Sequence, residues 1–209
     1  ERAARGAHRG YPRLRTCHSR ACRADAFDRD LCLATLDMSD NTAANLLINR
    51  LGETQAVTAY VRGIGDDVTR LDRMEPDLNV FVPGDLRDTT SPAAMISTWE
   101  AMLLGSALTP ESHAQLAAWM RLGGVTGGLI RASVPPDWTV ADKSGGGQYY
   151  TRNLVAMITP PNRAPWFVAI YVSDTAANWT TRDSAITEIG AAIIEVLRNR
   201  QVDLDTAKR

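Results

Sequence analysis

The 209-residue chain is 44% hydrophobic and 22% charged, enough for one compact domain or two interleaved subdomains sharing a core, which excludes a disordered or fibrous protein. Its net charge of -1 at pH 7 excludes a nucleic-acid or anionic-membrane partner for the body of the protein, because such partners demand a basic excess. There is no run of about 18 apolar residues, so no transmembrane helix is expected, and the first residues lack the apolar stretch of a secretory signal.

Residues 1–26 hold seven arginines against only Glu1 and Asp25, with no helical or strand period, and are expected to be a separate, disordered or out-of-frame segment. A nucleic-acid-binding arm is the weaker reading of that stretch, since Tyr11 is its one aromatic. Cys17, Cys22 and Cys32 form no Cys-x-x-Cys and meet no histidine cluster, so neither a metal site nor any cofactor is expected. Of the 23 basic residues only Lys143 and Lys208 are lysines, so a lysine inside the fold calls for a chemical reason.

From residue 27 the apolar residues fall at helical spacing. Phe27, Leu31, Cys32 and Leu36 make one face, and Ala43, Leu46, Leu47, Val57 and Val61 supply two further short helices starting near Asn41 and Glu53. Between Arg70 and Asp88 the period fails, and Pro76, Pro83 and Gly84 punctuate a long loop of a length that is usually functional. Helices are predicted again over 92–104 and 110–122, with Leu116, Trp119 and Met120 inward. Segments 137–144, 152–159 and 166–173 read as strands whose short connections imply an antiparallel meander. A last helix over 180–200 carries Ile186, Ile189, Ile193 and Leu197 on one stripe, and 201–209 forms a tail. The expected fold is α+β: an antiparallel sheet flanked by helices, with a mostly helical subdomain.

Three short motifs carry chemistry. Ser39-Asp40-Asn41 opens a helix, where a plain N-cap is the ordinary explanation. Glu75-Pro76-Asp77-Leu78-Asn79 lies in the long loop, where a carboxylate can poise a water with Asn79 as a second hydrogen-bonding group; Arg73 and Asp88 can pair across the loop's neck. Asp142-Lys143-Ser144-Gly145 ends a strand and sets an ammonium beside a hydroxyl at a sheet edge.

In order and spacing, with Glu75 lying 34 residues after Asn41 and Lys143 lying 68 after Glu75, these motifs resemble the class A β-lactamases, and the resemblance runs from 27 to about 200. It implies an α/β/α layered catalytic domain over 27–200, periplasmic or secreted, monomeric, acting on β-lactam antibiotics. It further implies that Ser39 shuttles a proton to the lactam nitrogen, that Asn41 holds the acyl amide, and that Lys143 biases Ser39 and attracts the substrate carboxylate. Ser144 would hydrogen-bond that carboxylate, Arg152 reinforce it, the Gly146 N–H form half of an oxyanion hole, and Glu75 with Asn79 activate the deacylating water across a cis Glu75–Pro76 bond.

The family's nucleophile sits in Ser-x-x-Lys, and no serine in this sequence has a lysine three residues on. By spacing it belongs roughly twenty residues before Glu1, together with two strands and the cysteine that pairs with Cys32. The resulting expectation is a truncated or frameshifted copy with impaired hydrolysis. The competing readings are a D-alanyl-D-alanine peptidase-like penicillin-binding protein, against which Glu75 and Asn79 argue, and a non-catalytic remnant.

Overall fold

A computed structural model describes residues 20–147 and 150–206; the start of the arginine-rich segment, with Cys17, lies outside the described residues, as does Lys208. The first half is helical: α1 (Arg20–Met38), α2 (Asn41–Leu51) and α3 (Glu53–Gly63). Asp40 caps α2 by accepting from the Ala43 N–H at 2.9 Å. Gly52 closes α2 at φ 103, a left-handed turn that costs glycine nothing and starts α3 at once. A long loop containing one 3-10 turn (Asp77–Asn79) leads to α4 (Pro92–Leu103) and α5 (Pro110–Met120). Both begin with a hydroxyl cap, Ser91 and Thr109, followed by proline in the first turn.

The sheet is β1 (Thr139–Gly145), β2 (Tyr150–Thr159) and β3 (Trp166–Thr175), antiparallel in the order β1-β2-β3, and α6 (Trp179–Thr206) follows it. Because successive side chains alternate faces, the strands feed two separate cores. Leu154, Ala156, Ile158, Val168 and Ile170 face α6 and its Ile186, Ile194 and Leu197. Val155, Met157 and Ala141 face α4 and α5 through Trp99, Leu103, Ala117 and Met120. The result is the three-layered α/β/α arrangement of an α+β fold.

Several boundaries and stripes depart from the sequence reading. Helix α1 starts at Arg20, ahead of the boundary drawn at residue 27, and α6 runs to Thr206 through most of the supposed tail. Phe27, Leu46 and Ile189, assigned to buried stripes, are 53%, 44% and 42% exposed. On α6 the reason is visible: Ile130 approaches so closely that a Cβ on Gly190 would stand 3.0 Å from it, which centres the contact on Ile186, Gly190 and Ile194 and turns Ile189 aside. On α2 the buried position is the small Ala43, so the packed stripe is narrow and Leu46 lies beyond its rim. Partners of α1 are α2 and α5, and they cover Leu31 without reaching the turn that carries Phe27. Among the described residues no helix is long and apolar enough to cross a membrane.

The long loop is anchored where it leaves α3. Asp66 is buried, accepting from the Val68 and Thr69 N–H groups at 2.9 and 2.8 Å and from the Thr98 hydroxyl of α4 at 2.7 Å. Burial alone would raise its carboxyl, but the bonds from Thr69, Thr98 and Val68 prevail and hold it at about 2. A carboxyl depressed on folding stabilises the protein above its unfolded value and ceases to do so as pH falls through about 2. Asp66→Asn is therefore expected to cost about 2 kcal/mol at neutral pH and to remove part of the stability change between about pH 4 and pH 2, as denaturant titrations at both ends will show.

Candidate active site

Strand β1 decides where the lysine goes. Asp142 and Lys143 are neighbours and so point to opposite faces. Asp142, wholly buried, turns to the α6 side, where Arg131 donates to its Oδ1 from Nη2 at 2.7 Å and Nε at 3.0 Å and Thr126 adds a bond at 2.8 Å. Lys143 turns to the helical side, half-buried, and its Nζ donates to Ser39 Oγ at 2.7 Å and to the Ser144 carbonyl at 2.7 Å. Ser39 is not the helix cap; Asp40 is. Ser39 adopts φ 58, uncommon for a residue with a side chain, and its hydroxyl meets the ammonium. Asn41 is exposed at the first turn of α2.

One turn further along α2, Asn45 clamps the backbone of Glu75: its Nδ2 donates to the Glu75 carbonyl and its Oδ1 accepts from the Glu75 N–H, both at 2.9 Å. The Glu75–Pro76 bond is cis. Asn79 Nδ2 donates to Glu75 Oε2 at 2.5 Å. Burial raises the Glu75 carboxyl above its ordinary value, against the lowering effects of Asn79 and of the Lys143 charge. Lys143 moves the other way: burial and then the Arg152 charge lower it, opposed by Asp142 and Glu75. Each group thus feels the other, and burial moves both towards their neutral forms.

The neck of the loop is tied by Arg73 and Asp88. Arg73 Nε donates to Asp88 Oδ2 at 2.5 Å, while Asp88 Oδ1 accepts from the N–H groups of Asp72 and Arg73 at 2.7 and 2.9 Å. Loop and sheet then meet closely, for a Cβ added to Gly147 would fall on the Asn79 carbonyl oxygen. Behind this contact a cavity of about 370 Å³ lies between loop and strands, lined among others by Asn79, Phe81, Gly146, Thr151 and Tyr171.

Ser144 is buried, and Gly146 is packed so that a Cβ would stand 3.1 Å from both the Thr151 carbonyl and the Trp179 ring. Arg152 faces α6, 5% exposed, with Nε donating to Asp183 Oδ1 at 2.5 Å, Nη1 to the Gly145 carbonyl at 3.3 Å, and its guanidinium 4.6 Å from the Trp179 ring. Cys32 keeps a free, half-buried thiol that burial and then the Asp28 carboxylate raise. Among the described residues no three His, Cys, Asp or Glu side chains gather as a metal ion would need.

Several supporting residues went unnoticed in the sequence. Asn45 and Asp183 belong to no motif whose chemistry could be read in isolation. Arg182 is buried at the start of α6, donating to the carbonyls of Gly147 at 3.2 Å and Thr151 at 2.7 Å, and so holds the β1–β2 hairpin. A single arginine in a chain rich in arginine carries no signal of such a duty.

The chain matches the model of the β-lactamase enzyme family over residues 28–197. It is 53% identical over 169 residues to a β-lactamase of Rhodobacter capsulatus, covering 81% of this chain and 57% of that protein. Among solved structures it is similar to the chromosome-encoded β-lactamase of Vibrio parahaemolyticus, with a TM-score of 0.80 and 45% identity over 81% of this chain and 65% of that one. An ancestral class A β-lactamase matches with a TM-score of 0.78 and 47% identity, covering 81% and 65%. The chain therefore spans between half and two thirds of the length of these relatives.

The close approach of hairpin and loop makes Gly147 a sensitive position. Gly147→Ala is expected to push the 3-10 turn outward and loosen the Asn79–Glu75 bond, speeding amide exchange over Leu78–Val80 by about tenfold, equivalent to about 1.4 kcal/mol of local opening. Unchanged exchange there would show that the two backbones are not in contact.

Proposed function

This chain belongs to the β-lactamase enzyme family, class A, and from that premise we propose that it forms the proton-transfer and deacylating side of a β-lactam hydrolase working through a serine acyl-enzyme. The observation that carries the reading is the 2.7 Å bond from Lys143 to Ser39 in electrostatic reach of a Glu75 held by Asn79.

In this reading the substrate carboxylate is bound by the Ser144 hydroxyl and the Lys143 ammonium, with Arg152, fixed by Asp183 and Trp179, reinforcing the positive field. Asn41 holds the acyl amide. The Gly146 N–H donates a hydrogen bond to the developing oxyanion, worth several kcal/mol where donors are preorganised. When the lactam C–N bond breaks, Ser39 passes a proton to the departing nitrogen and is reprotonated through Lys143. Glu75 then takes a proton from a water oriented with Asn79, and the hydroxide attacks the ester. The acylated serine is supplied by a Ser-x-x-Lys segment, which these 209 residues do not contain. The same reading makes the acting protein a monomer in the periplasm or outside the cell, with penicillin-like anions as substrates. A peptidase-like role is disfavoured by the Glu75–Asn79 pair, which suits the activation of a deacylating water.

The test is a chimera in which this chain follows the Ser-x-x-Lys-bearing portion of a matched relative. It is expected to hydrolyse nitrocefin, and its Glu75→Gln variant to lose about 10²- to 10⁴-fold in turnover while accumulating acyl-enzyme. Because Glu75 must be ionised and Lys143 charged, the acid limb of the pH–rate profile is expected above the ordinary glutamate value and the alkaline limb below the ordinary lysine value. A Glu75→Gln variant with undiminished turnover would refute the assignment.

A further inference from the structure

The cavity of about 370 Å³ between loop and strands meets the described site at Asn79 and Gly146, but none of Ser39, Glu75 and Lys143 borders it. Its floor follows from strand register. Gly145 pairs with Asn153, and Asn153 with Tyr171, so the three form one row across the sheet. That row lies two residues along each strand from the row of Lys143, Val155 and Ala169, and therefore on the same face. A Cβ on Gly145 would meet nothing within 4 Å, which leaves Asn153, in the middle of the row, open on its β1 side. The loop supplies the opposite wall with Leu78, Val80, Phe81 and Val82, and the Phe81 ring lies 5.8 Å from that of Tyr150 on the hairpin.

The lining sets what the cavity accepts. Its charged residues are all paired: Asp85 with Arg87 at 2.8 Å, and Asp88 with Arg73 at 2.5 Å. Among the described residues no unpaired charge is there to compensate the desolvation of an ion, so the occupant is neutral. Tyr171 adds no charge, because burial and then the Asp66 carboxylate push its phenol up to about 12. Asn153 is half-buried, and its side-chain amide has no hydrogen-bond partner among the described residues. It offers an acceptor and two donors to whatever lies against it, which a carboxamide matches with a donor and an acceptor of its own. The aliphatic and aromatic wall facing it favours a flat ring, and a cavity of this size is ordinary for a small-molecule site.

We propose that this cavity is a second ligand site, apart from the reaction cleft, for a small neutral aromatic carboxamide held by Asn153, and that its occupancy keeps the loop closed on the sheet. The inference goes beyond the β-lactam reading and does not depend on it. Seated between Phe81 and Asn153, the ligand bridges loop and sheet beside the place where Gly147 meets Asn79. A ligand that binds only the closed loop suppresses its opening by the factor 1 + [L]/Kd, and so steadies the Asn79–Glu75 bond that the loop carries.

The experiment is a ¹H–¹⁵N NMR titration of the 209-residue chain with benzamide, benzoate and toluene, which share a ring and differ in the group attached to it. Benzamide is expected to give saturable shifts at Gly145, Asn153 and Phe81 and to bind about tenfold tighter or more than either of the others. At about ten times its Kd it is expected to slow amide exchange over Leu78–Val82 about tenfold. Asn153→Leu is expected to lose about tenfold in benzamide affinity with a circular dichroism spectrum matching the parent, and Ser39→Ala to bind benzamide as the parent does. The comparison among the three probes uses the parent chain alone, so it decides the matter even where Asn153→Leu fails to fold. Equal binding of toluene or benzoate, shifts centred on Ser39, Lys143 and Glu75, or undiminished affinity in a folded Asn153→Leu would overturn the proposal. So would loop exchange unchanged at saturation, or no saturable shift up to about 10 mM benzamide.

Discussion

A half-buried ammonium is held where two parts of the chain meet, and the site depends on that placement. Lys143 lies 104 residues after Ser39, and the bond between them joins the sheet to the start of α2. Taking an ammonium out of water is costly unless hydrogen bonds and opposite charges compensate. Here two acceptors, Ser39 Oγ and the Ser144 carbonyl, supply the bonds, and Glu75 supplies charge from the loop. The compensation is incomplete, since burial still lowers Lys143 and raises Glu75. A pair left short of full compensation is easily shifted between charge states, which is what proton transfer needs.

The alternation of β1 and β2 makes this possible without putting all the charges in one place. Asp142 and Arg152 turn to the α6 face and are paired there with Arg131 and Asp183. Lys143 turns to the other face, across which the loop presents Glu75. A one-residue slip between β1 and β2 would exchange these sets, so the pairing of Lys143 with Val155 and of Ser144 with Leu154 is as much a part of the site as the side chains. The apolar residues on both faces, Leu154 and Ile158 towards α6 and Val155 and Met157 towards α4 and α5, make that slip expensive.

The sequence made legible what is local and periodic. The three strands, their antiparallel order and the helices on either side follow from apolar spacing and turn residues, and Ser39, Glu75 and Lys143 stood out through motif order. What it hid depends on distance or on the neighbour's shape. Whether Phe27 or Ile189 is covered is settled by which helix approaches and where, and Gly190 opposite Ile130 decides it for α6. Asn45 holds Glu75 across 30 residues and Arg182 holds the hairpin across 31 and 35, using residue types common on any surface. The tripeptide Ser39-Asp40-Asn41 shows the division well: as a cap it was readable, and the family resemblance implied that Lys143 acts on Ser39, but that Asp40 takes the capping duty needed the fold.

The central claim is that Glu75 and Lys143 share one cleft and set each other's charge. The most direct measurement is a ¹³C NMR titration of the Glu75 carboxyl in the parent chain and in Lys143→Met. The account predicts that removing the ammonium lets burial act unopposed by it and moves the Glu75 titration further up. An identical titration in the two proteins would mean that the carboxylate and the ammonium do not face one another, and would contradict the account.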